Sequence, residues 1–189
     1  MRRVELLSPA KNVDVAIAAI NNGADAVYIG GPAFGARKAV GNSLEDIEKA
    51  VRYAHRFYCR VFVTLNTILY DEELPEVERL IHDLYRIGVD AIIVQDPAVL
   101  KLDLPPIALH ASTQMHNYDL ERIKFLDRLG FQRIVLAREL SLEQLREIRR
   151  EVKAELEYFV HGALCVSLSG QCYMSYYLTN RSANRGECA

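Results

Sequence analysis

The feature of the sequence that most constrains the fold is a repeated alternation of short apolar runs with amphipathic segments. There are seven such runs: VELL at 4–7, AVYIG at 26–30, VFVTL at 61–65, AIIV at 91–94, IALHA at 107–111, RIVLA at 133–137 and LEYFV at 156–160. Continuous apolar runs are typical of parallel strands that are covered on both faces. The pattern therefore predicts a repeated βα unit.

The segments between the runs carry the signals of helix starts. Ser43 followed by Asp46, and Ser141 followed by Gln144, have the spacing of a capping box. Apolar residues at helical spacing follow the first of these pairs, namely Ile47, Ala50, Val51, Ala54 and Phe57. The spacing predicts amphipathic helices that cover the sheet.

The number of predicted strands favours a TIM-barrel-like (β/α)8 fold over an open doubly wound sheet. An open sheet usually has about five or six strands and a glycine-rich phosphate loop after the first, whereas ELLSPAKN contains no such loop. A complete barrel usually needs about 250 residues, but the chain has 189 and shows no eighth apolar run. We expect a single barrel domain over 1–189, incomplete at its C-terminal end, with about seven strands.

Composition narrows the classes of function. A net charge of −2 gives no overall attraction to phosphate, so contact with RNA would need a local basic patch. The N-terminal MRRVELLSPA has no apolar core of a signal peptide, and no run approaches the length of a membrane span. We therefore expect a cytoplasmic protein without membrane contact, in which four cysteines are unsuited to structural disulfides.

Polar residues follow the predicted strands at the end where (β/α)8 barrels build their sites. They are Ser8, Asn66, Gln95, Asp96, His110, Ser112, Thr113, Gln114, Arg138, Glu139 and His161. We expect them to converge on one mouth as a polar ligand site. The candidate catalytic residues are His110, Gln114, Glu139 and His161, and the candidate binding residues include Asn66 and Arg138. For any one of them, a role in capping a helix or a loop is an equal alternative.

Three cysteines follow the seventh run with the spacing C-x6-C-x15-C, namely Cys165, Cys172 and Cys188. Cys59 precedes the third run, so we expect it at the opposite end of the barrel as a packing residue. Three thiolates at the mouth would suit an iron–sulfur cluster or zinc, which generally take four ligands. Packing or a redox pair remains open, and a fourth ligand could come from beyond Ala189 or from His161.

The stretch EYFVHGALCVSLSGQCYMS resembles the signature of the U32 peptidase family, the collagenase-like proteins. The resemblance extends over essentially the whole chain. Other segments similar to that family's occur in the same order: ELLSPA, GADAVYIGGPAFGAR, VTLNT, GVDAIIVQDP, HASTQMHN, ARELSL and RSANRGEC.

The resemblance implies a TIM-barrel-type catalytic domain that is usually followed by more sequence. Members of the family support hydroxylation of bases in tRNA or ribosomal RNA, with prephenate as hydroxyl source, or of ubiquinone precursors. The ubiquinone branch holds a [4Fe-4S] cluster on four cysteines. Cys165, Cys172 and Cys188 match the first three cysteines of such a set.

The leading hypothesis is therefore an enzyme that supports hydroxylation of an RNA base with an iron–sulfur cluster. Such an enzyme needs cations for anion binding and aromatic rings that hold a base, and the candidates are Arg138, Arg181, Arg185, Tyr173, Tyr176 and Tyr177. One alternative is a peptidase acting on peptide or collagen-like substrates. Another is a non-catalytic barrel fragment acting through a partner subunit, because unpaired first and seventh strands favour a homo- or hetero-oligomer.

Overall fold

A computed structural model describes residues 4–36 and 41–188 of the chain. Its strands form one parallel sheet in chain order. They are β1 Leu7–Ala10, β2 Ala26–Gly30, β3 Arg60–Leu65, β4 Ala91–Val94, β5 Ala108–Ala111, β6 Arg133–Val135 and β7 Glu155–Glu157. Arg133 of β6 donates to Glu5, which precedes β1, over 2.6 Å, so the sheet is curled. The predicted TIM-barrel-like fold with about seven strands is confirmed.

Helices lie between most of the strands, namely α1 Val13–Asn21, α2 Leu44–His55, α3 Leu74–Arg86, α4 Leu120–Arg128 and α5 Leu142–Glu151. A further helix, α6 Met174–Thr179, follows β7. The side chain of Ser43 accepts from the Asp46 N–H, and Ser141 forms the full capping box with Gln144, so both predicted helix starts are confirmed. In the described ranges, none of these helices is both apolar and long enough to cross a bilayer.

Alternate residues of the strands face two different surroundings, as the period of a strand requires. Val63, Ile92 and Leu109 pack with the helices in the larger core. Phe62 and Ile93, which alternate with them, belong to a smaller cluster on the other face, inside the curled sheet. The interior of the barrel is therefore a separate packing layer from the helix–sheet core.

The two outer strands differ from the prediction. β1 begins at Leu7, so the predicted run 4–7 is wrong and Ser8 lies within the strand rather than after it. β7 ends at Glu157, short of the predicted 156–160, and Val160 is exposed. Phe57, predicted on the buried face of α2, lies beyond the end of that helix and is exposed.

Candidate active site at the barrel mouth

The C-terminal ends of β3, β5 and β6 are tied together by amide side chains. Asn66 donates from Nδ2 to Oγ of Ser112 over 3.3 Å, and its Oδ1 accepts from the N–H of Ala36. Asn117 is fully buried and donates from Nδ2 to the carbonyls of Ser112 and Val135, both at 2.8 Å. The predicted binding residue Asn66 therefore lies at the mouth, where it crosslinks loops.

Gln95 and Gln114 connect the ends of β4 and β5. Gln95 directly follows β4 and donates from Nε2 to the carbonyl oxygen of Gln114 over 3.3 Å. The other predicted residue of this loop, Asp96, caps the 3-10 helix Pro97–Lys101 through Ala98 N–H and accepts from Leu69 N–H. Asp96 thus caps a helix, which is the alternative that the sequence analysis left open for each of these polar residues.

Ser169 connects the cysteine-bearing segment to the mouth. Its N–H donates to Oε1 of Glu139 over 2.7 Å and its hydroxyl donates to Oε2 over 3.1 Å. Arg138 donates from Nε to the same hydroxyl and from Nη2 to the carbonyl of Ser167. His116 donates from Nδ1 to the Ser169 carbonyl over 2.8 Å. We call these contacts the Ser169 anchor.

The charge of Glu139 is stabilised within this anchor. Burial raises the pKa of Glu139, but hydrogen bonds from the backbone and hydroxyl of Ser169 and the nearby charge of Arg138 outweigh it, so the pKa is lowered overall. Glu139 is therefore an ionised acceptor at neutral pH. The predicted Arg138–Glu139 pair lies at the mouth, and its observed contacts hold the loop that carries the cysteines.

Gly170 allows the segment to lie directly on the β5 loop. Its φ of +72° is in the left-handed region, and a Cβ atom built there would lie 2.2 Å from the carbonyl oxygen of Gln114. Any larger residue would collide with the backbone, so glycine is required at this position. The predicted catalytic residue Gln114 is consequently covered by the segment.

A second anchor holds the end of the same segment. Arg185 forms a bidentate pair with Glu73, at 2.5 and 2.7 Å, and donates to the carbonyl of Ile68. Its guanidinium lies 4.4 Å from the centre of the Tyr70 ring. The N–H of Ile68 in turn donates to the carbonyl of Asn184. We call these contacts the Arg185 anchor; together with the Ser169 anchor they span the mouth from β6 to β3.

The three predicted cysteine ligands are all on this segment. Cys165 and Cys188 are exposed and Cys172 is half-buried, and within the described residues none of them forms a disulfide. Hydrogen bonds from the Met174 N–H and the Ser167 hydroxyl lower the pKa of the Cys172 thiol. Throughout 4–36 and 41–188, however, no three histidine, cysteine or acidic side chains are grouped as a metal ion requires. The described arrangement does not fit a cluster, which stays a prediction.

The predicted residues His110, His161 and Arg181 lie apart from the two anchors. The ring of His110 points inside the barrel and packs edge-on against Phe62, with centroids 4.7 Å apart. Burial, with the charges of Arg133 and Arg60, lowers the pKa of His110 to about 3. His161 is exposed, and Arg181 is exposed and donates to the Cys188 carbonyl. The catalytic roles of His110 and His161 stay predictions.

Arg133 is the buried centre of an ionic cluster that extends to the surface through Arg60 and Glu155. Arg133 is 5% exposed and pairs with Glu5, Glu155 and Glu157, at 2.6, 2.5 and 3.3 Å. Arg60 also pairs with Glu5. Because Arg133, Arg60 and Glu155 begin their strands, this cluster lies at the end of the barrel away from the mouth. Cys59 also lies there, buried, and its thiol donates to the Ala24 carbonyl, which confirms its packing role.

Sequence reasoning missed several residues that build the mouth. Ser169, His116, Asn117 and Glu73 make its principal contacts, yet each occurs in a segment whose local pattern marks no site. His116 has a left-handed backbone with φ of +57°, which a sequence does not reveal. Two of the four are within HASTQMHN, so the family-like segment was the available signal.

Comparison with known proteins identifies the class. A family model described as "Peptidase family U32" matches residues 11–189. The solved structure named "The Structure of the U32 Peptidase Mk0906" superposes with a TM-score of 0.69 at 17% identity, covering 82% of this chain and 68% of that one, which shows the fold. The chain belongs to the U32 family.

Two curated relatives are similar over almost the whole chain. The Escherichia coli protein named "23S rRNA 5-hydroxycytidine C2501 synthase" is 59% identical over 99% of this chain and 29% of its own length. The Helicobacter pylori protein named "tRNA hydroxylation protein P" is 40% identical over 100% of this chain and 46% of its own length. The chain thus spans less than half the length of either relative.

Proposed function

We propose that this chain is part of an enzyme that supports hydroxylation of a base in RNA. The observation that carries the proposal is the 59% identity, over 99% of the chain, with a protein named for hydroxylation of a ribosomal cytidine. A second relative, named for tRNA hydroxylation, supports the same class of reaction. Ribosomal RNA is the proposed substrate because the identity to the first of these is greater.

The geometry supports a site at the mouth. The Ser169 and Arg185 anchors hold the segment 161–188 across the strand ends, and that segment carries exposed Tyr173, Tyr176 and Tyr177. Exposed aromatic rings are what proteins use to stack unpaired RNA bases. Arg181 is the exposed member of the three predicted anion-binding arginines, so it is the proposed partner for an RNA phosphate or for a carboxylate of prephenate, the proposed hydroxyl source.

The experiment is nucleoside analysis of RNA from a strain that lacks the protein and has no second U32 protein. We expect one hydroxylated nucleoside to disappear from the digested ribosomal RNA and to return when the full-length protein is restored. Mass spectrometry of the separated rRNA and tRNA fractions distinguishes the two substrates. Unchanged levels of every hydroxylated nucleoside in both fractions would refute the proposal.

A peptidase is the second candidate, favoured by the name of the family and by the name of the solved relative. A serine or cysteine peptidase needs a base beside its nucleophile. At this mouth the Ser112 hydroxyl contacts Asn66 and the Gln114 N–H, and the Ser169 hydroxyl contacts Glu139 and Arg138. Hydrolysis of gelatin by the purified full-length protein, abolished by a single mouth substitution, would establish this candidate instead.

A further inference from the structure

The side chain of Gln95 presents a hydrogen-bond acceptor of fixed orientation at the mouth. Its Nε2 donates to the carbonyl oxygen of Gln114. A carbonyl only accepts, so the opposite orientation of the amide would place two oxygens against each other. Oε1 therefore points away from Gln114, and it is buried without a hydrogen-bond partner among the described residues, on a residue that is 8% exposed.

A second buried polar atom without a partner lies at the end of the neighbouring strand. The hydroxyl of Thr67 accepts from and donates to no group in the part of the chain that the structure describes, and Thr67 is 3% exposed. Leu65 of β3 is paired with Val94 of β4, so Thr67 and Gln95 follow adjacent strand ends. An unsatisfied buried polar group costs about 1–3 kcal/mol, so these two, at adjacent strand ends of a candidate site, are available to a ligand or to water.

The segment 161–188 contacts a residue next to, or bonded to, each of these two groups. Gly170 lies on the carbonyl of Gln114, which is the group that fixes Gln95. On the other side, Asn184 accepts from the N–H of Ile68, the residue next to Thr67. Because Gln95 and Thr67 are buried, a base can reach them only if the segment 161–188 moves off the mouth.

We propose that Gln95 is a specificity-determining residue that accepts a hydrogen bond from the exocyclic amino group of the target base. Cytosine carries such a donor at its N4 position, whereas uracil carries a carbonyl oxygen there. A fixed acceptor repels a second acceptor, so the site selects cytosine over uracil. The Thr67 hydroxyl, which can donate or accept, contributes a second hydrogen bond to the same base. This inference rests on the proposed function, because it concerns the base that is hydroxylated.

The test uses the full-length protein and two RNA oligonucleotides that differ in one unpaired base, cytosine or uracil. Binding is measured by fluorescence anisotropy, and the hydroxylated product by mass spectrometry. We expect the wild type to prefer the cytosine RNA about tenfold, the ratio that one well-placed hydrogen bond to a base supplies. Gln95→Leu removes the acceptor at similar size, and we expect the preference to fall to near unity.

Two further variants keep the test decisive. Thr67→Val conserves shape and removes only the hydroxyl, and we expect it to reduce the preference about threefold, less than Gln95→Leu, since one of two hydrogen bonds remains. Arg52→Met is the control, because Arg52 pairs with Glu48 on the exposed surface of α2, and it should keep the wild-type ratio. Thr67→Val also provides the answer if Gln95→Leu does not fold.

The outcomes separate this inference from the proposed function. A cytosine preference that survives both Gln95→Leu and Thr67→Val overturns the role of Gln95, even if the RNA is hydroxylated. A wild type that prefers the cytosine RNA through Gln95, but hydroxylates neither RNA in any assay, overturns the proposed function and leaves the recognition role supported.

Discussion

The two ends of the barrel are stabilised in different ways. At the end away from the mouth, buried Arg133 and partly exposed Arg60 form an ionic network with Glu5, Glu155 and Glu157, made mostly by residues of the strands themselves. At the mouth, the segment 161–188 is held by loop residues through the Ser169 and Arg185 anchors. One end is therefore held by contacts among the strands, whereas the other carries a segment held by loop contacts, and we expect that segment to open locally before the sheet unfolds.

The two ends of the barrel also differ in how much apolar surface they expose. The interior cluster is shielded by Phe62, over whose ring both Arg60 and Arg133 lie. The mouth segment 161–188 exposes many apolar side chains: Leu164, Val166, Leu168, Tyr173, Met174, Tyr176, Tyr177 and Leu178. A concentration of large exposed apolar side chains in one segment is typical of interaction sites.

The largest expected effect comes from breaking the interior cluster. Arg133→Met leaves Glu157 without its buried cation, whereas Glu5 keeps Arg60. Removing one partner of a buried ion pair typically costs about 3–5 kcal/mol. We expect a loss of that size in the free energy of unfolding, measured by urea titration. Arg52→Met is the control, because Arg52 pairs with Glu48 on the exposed face of α2 and should lose less than about 0.5 kcal/mol. Equal losses of stability in Arg133→Met and Arg52→Met would show that the ionic cluster around Arg133 does not stabilise the barrel more than a surface ion pair does.

The next effect concerns pH at the interior. The pKa of His110 is about 3 in the folded chain, against an ordinary 6.5, so the unfolded chain binds the extra proton between these values. The contribution of neutral His110 to the free energy of unfolding is fully present above pH 6.5. It decreases by about 1.4 kcal/mol per pH unit as the pH falls toward 3. Between pH 7 and pH 5 we expect the free energy of unfolding to decrease by about 2 kcal/mol because of His110.

His110→Leu should remove this part of the pH dependence in urea unfolding at the two pH values. His161 is exposed, so His161→Leu is the matched control and should keep the wild-type dependence. If His110→Leu and the wild type lose the same stability on acidification, the ring of His110 is not in a dry interior.

A smaller and more local effect is expected from the Ser169 anchor. Glu139→Leu removes both acceptors of Ser169 and should cost about 1–3 kcal/mol in the local stability of the segment. We expect Cys172 to react about tenfold faster with a thiol reagent, while buried Cys59 keeps its rate. Glu147→Leu, an exposed position on α5, is the control. An unchanged Cys172 rate would show that the anchor does not hold the segment.

The smallest effect is expected at the Arg185 anchor, which is partly open to solvent. Glu73→Gln replaces the charged bidentate acceptor by a neutral amide, and a partly exposed pair contributes up to about 1 kcal/mol. We expect trypsin to cleave after Arg181 and Arg185 a few-fold faster. Glu72→Gln changes the exposed neighbour in the same turn and should leave cleavage at the wild-type rate.

The sequence predicted the inner strands well and the outer ones poorly, for a physical reason. β2 to β6 pair on both sides, and the predicted runs match β2 and β4 and differ by one residue at the start of β3 and β5. The run predicted for β6 is too long by two residues, since that strand ends at Val135. β1 and β7 each have one partner in the described sheet, and such strands tolerate residues that inner strands exclude. Pro9 lies within β1, and the apolar Val160 lies outside β7. The apolar runs alone therefore did not predict where β1 and β7 begin and end.

Prediction of the site was limited by the direction of side chains and by long-range partners. His110 was expected at the mouth, but its position in β5 turns it into the barrel, and the run IALHA does not specify the face. Arg185 and Glu73 are 112 residues apart, so no local pattern joins them. By contrast, the location of Cys59 at the end of the barrel away from the mouth was predicted correctly, because the residue directly precedes β3 in the sequence.

The most direct test of the central claim, that the mouth of this U32 barrel serves RNA hydroxylation, is the level of hydroxylated nucleosides in ribosomal RNA. It is measured by mass spectrometry in a deletion strain that carries full-length variants. We expect wild type and Arg52→Met to restore the lost nucleoside, and Gln95→Leu at equal protein level to restore about a tenth of it. Persistence of the nucleoside in the deletion strain would contradict RNA hydroxylation by this protein, whereas full restoration by Gln95→Leu would contradict only the role of Gln95.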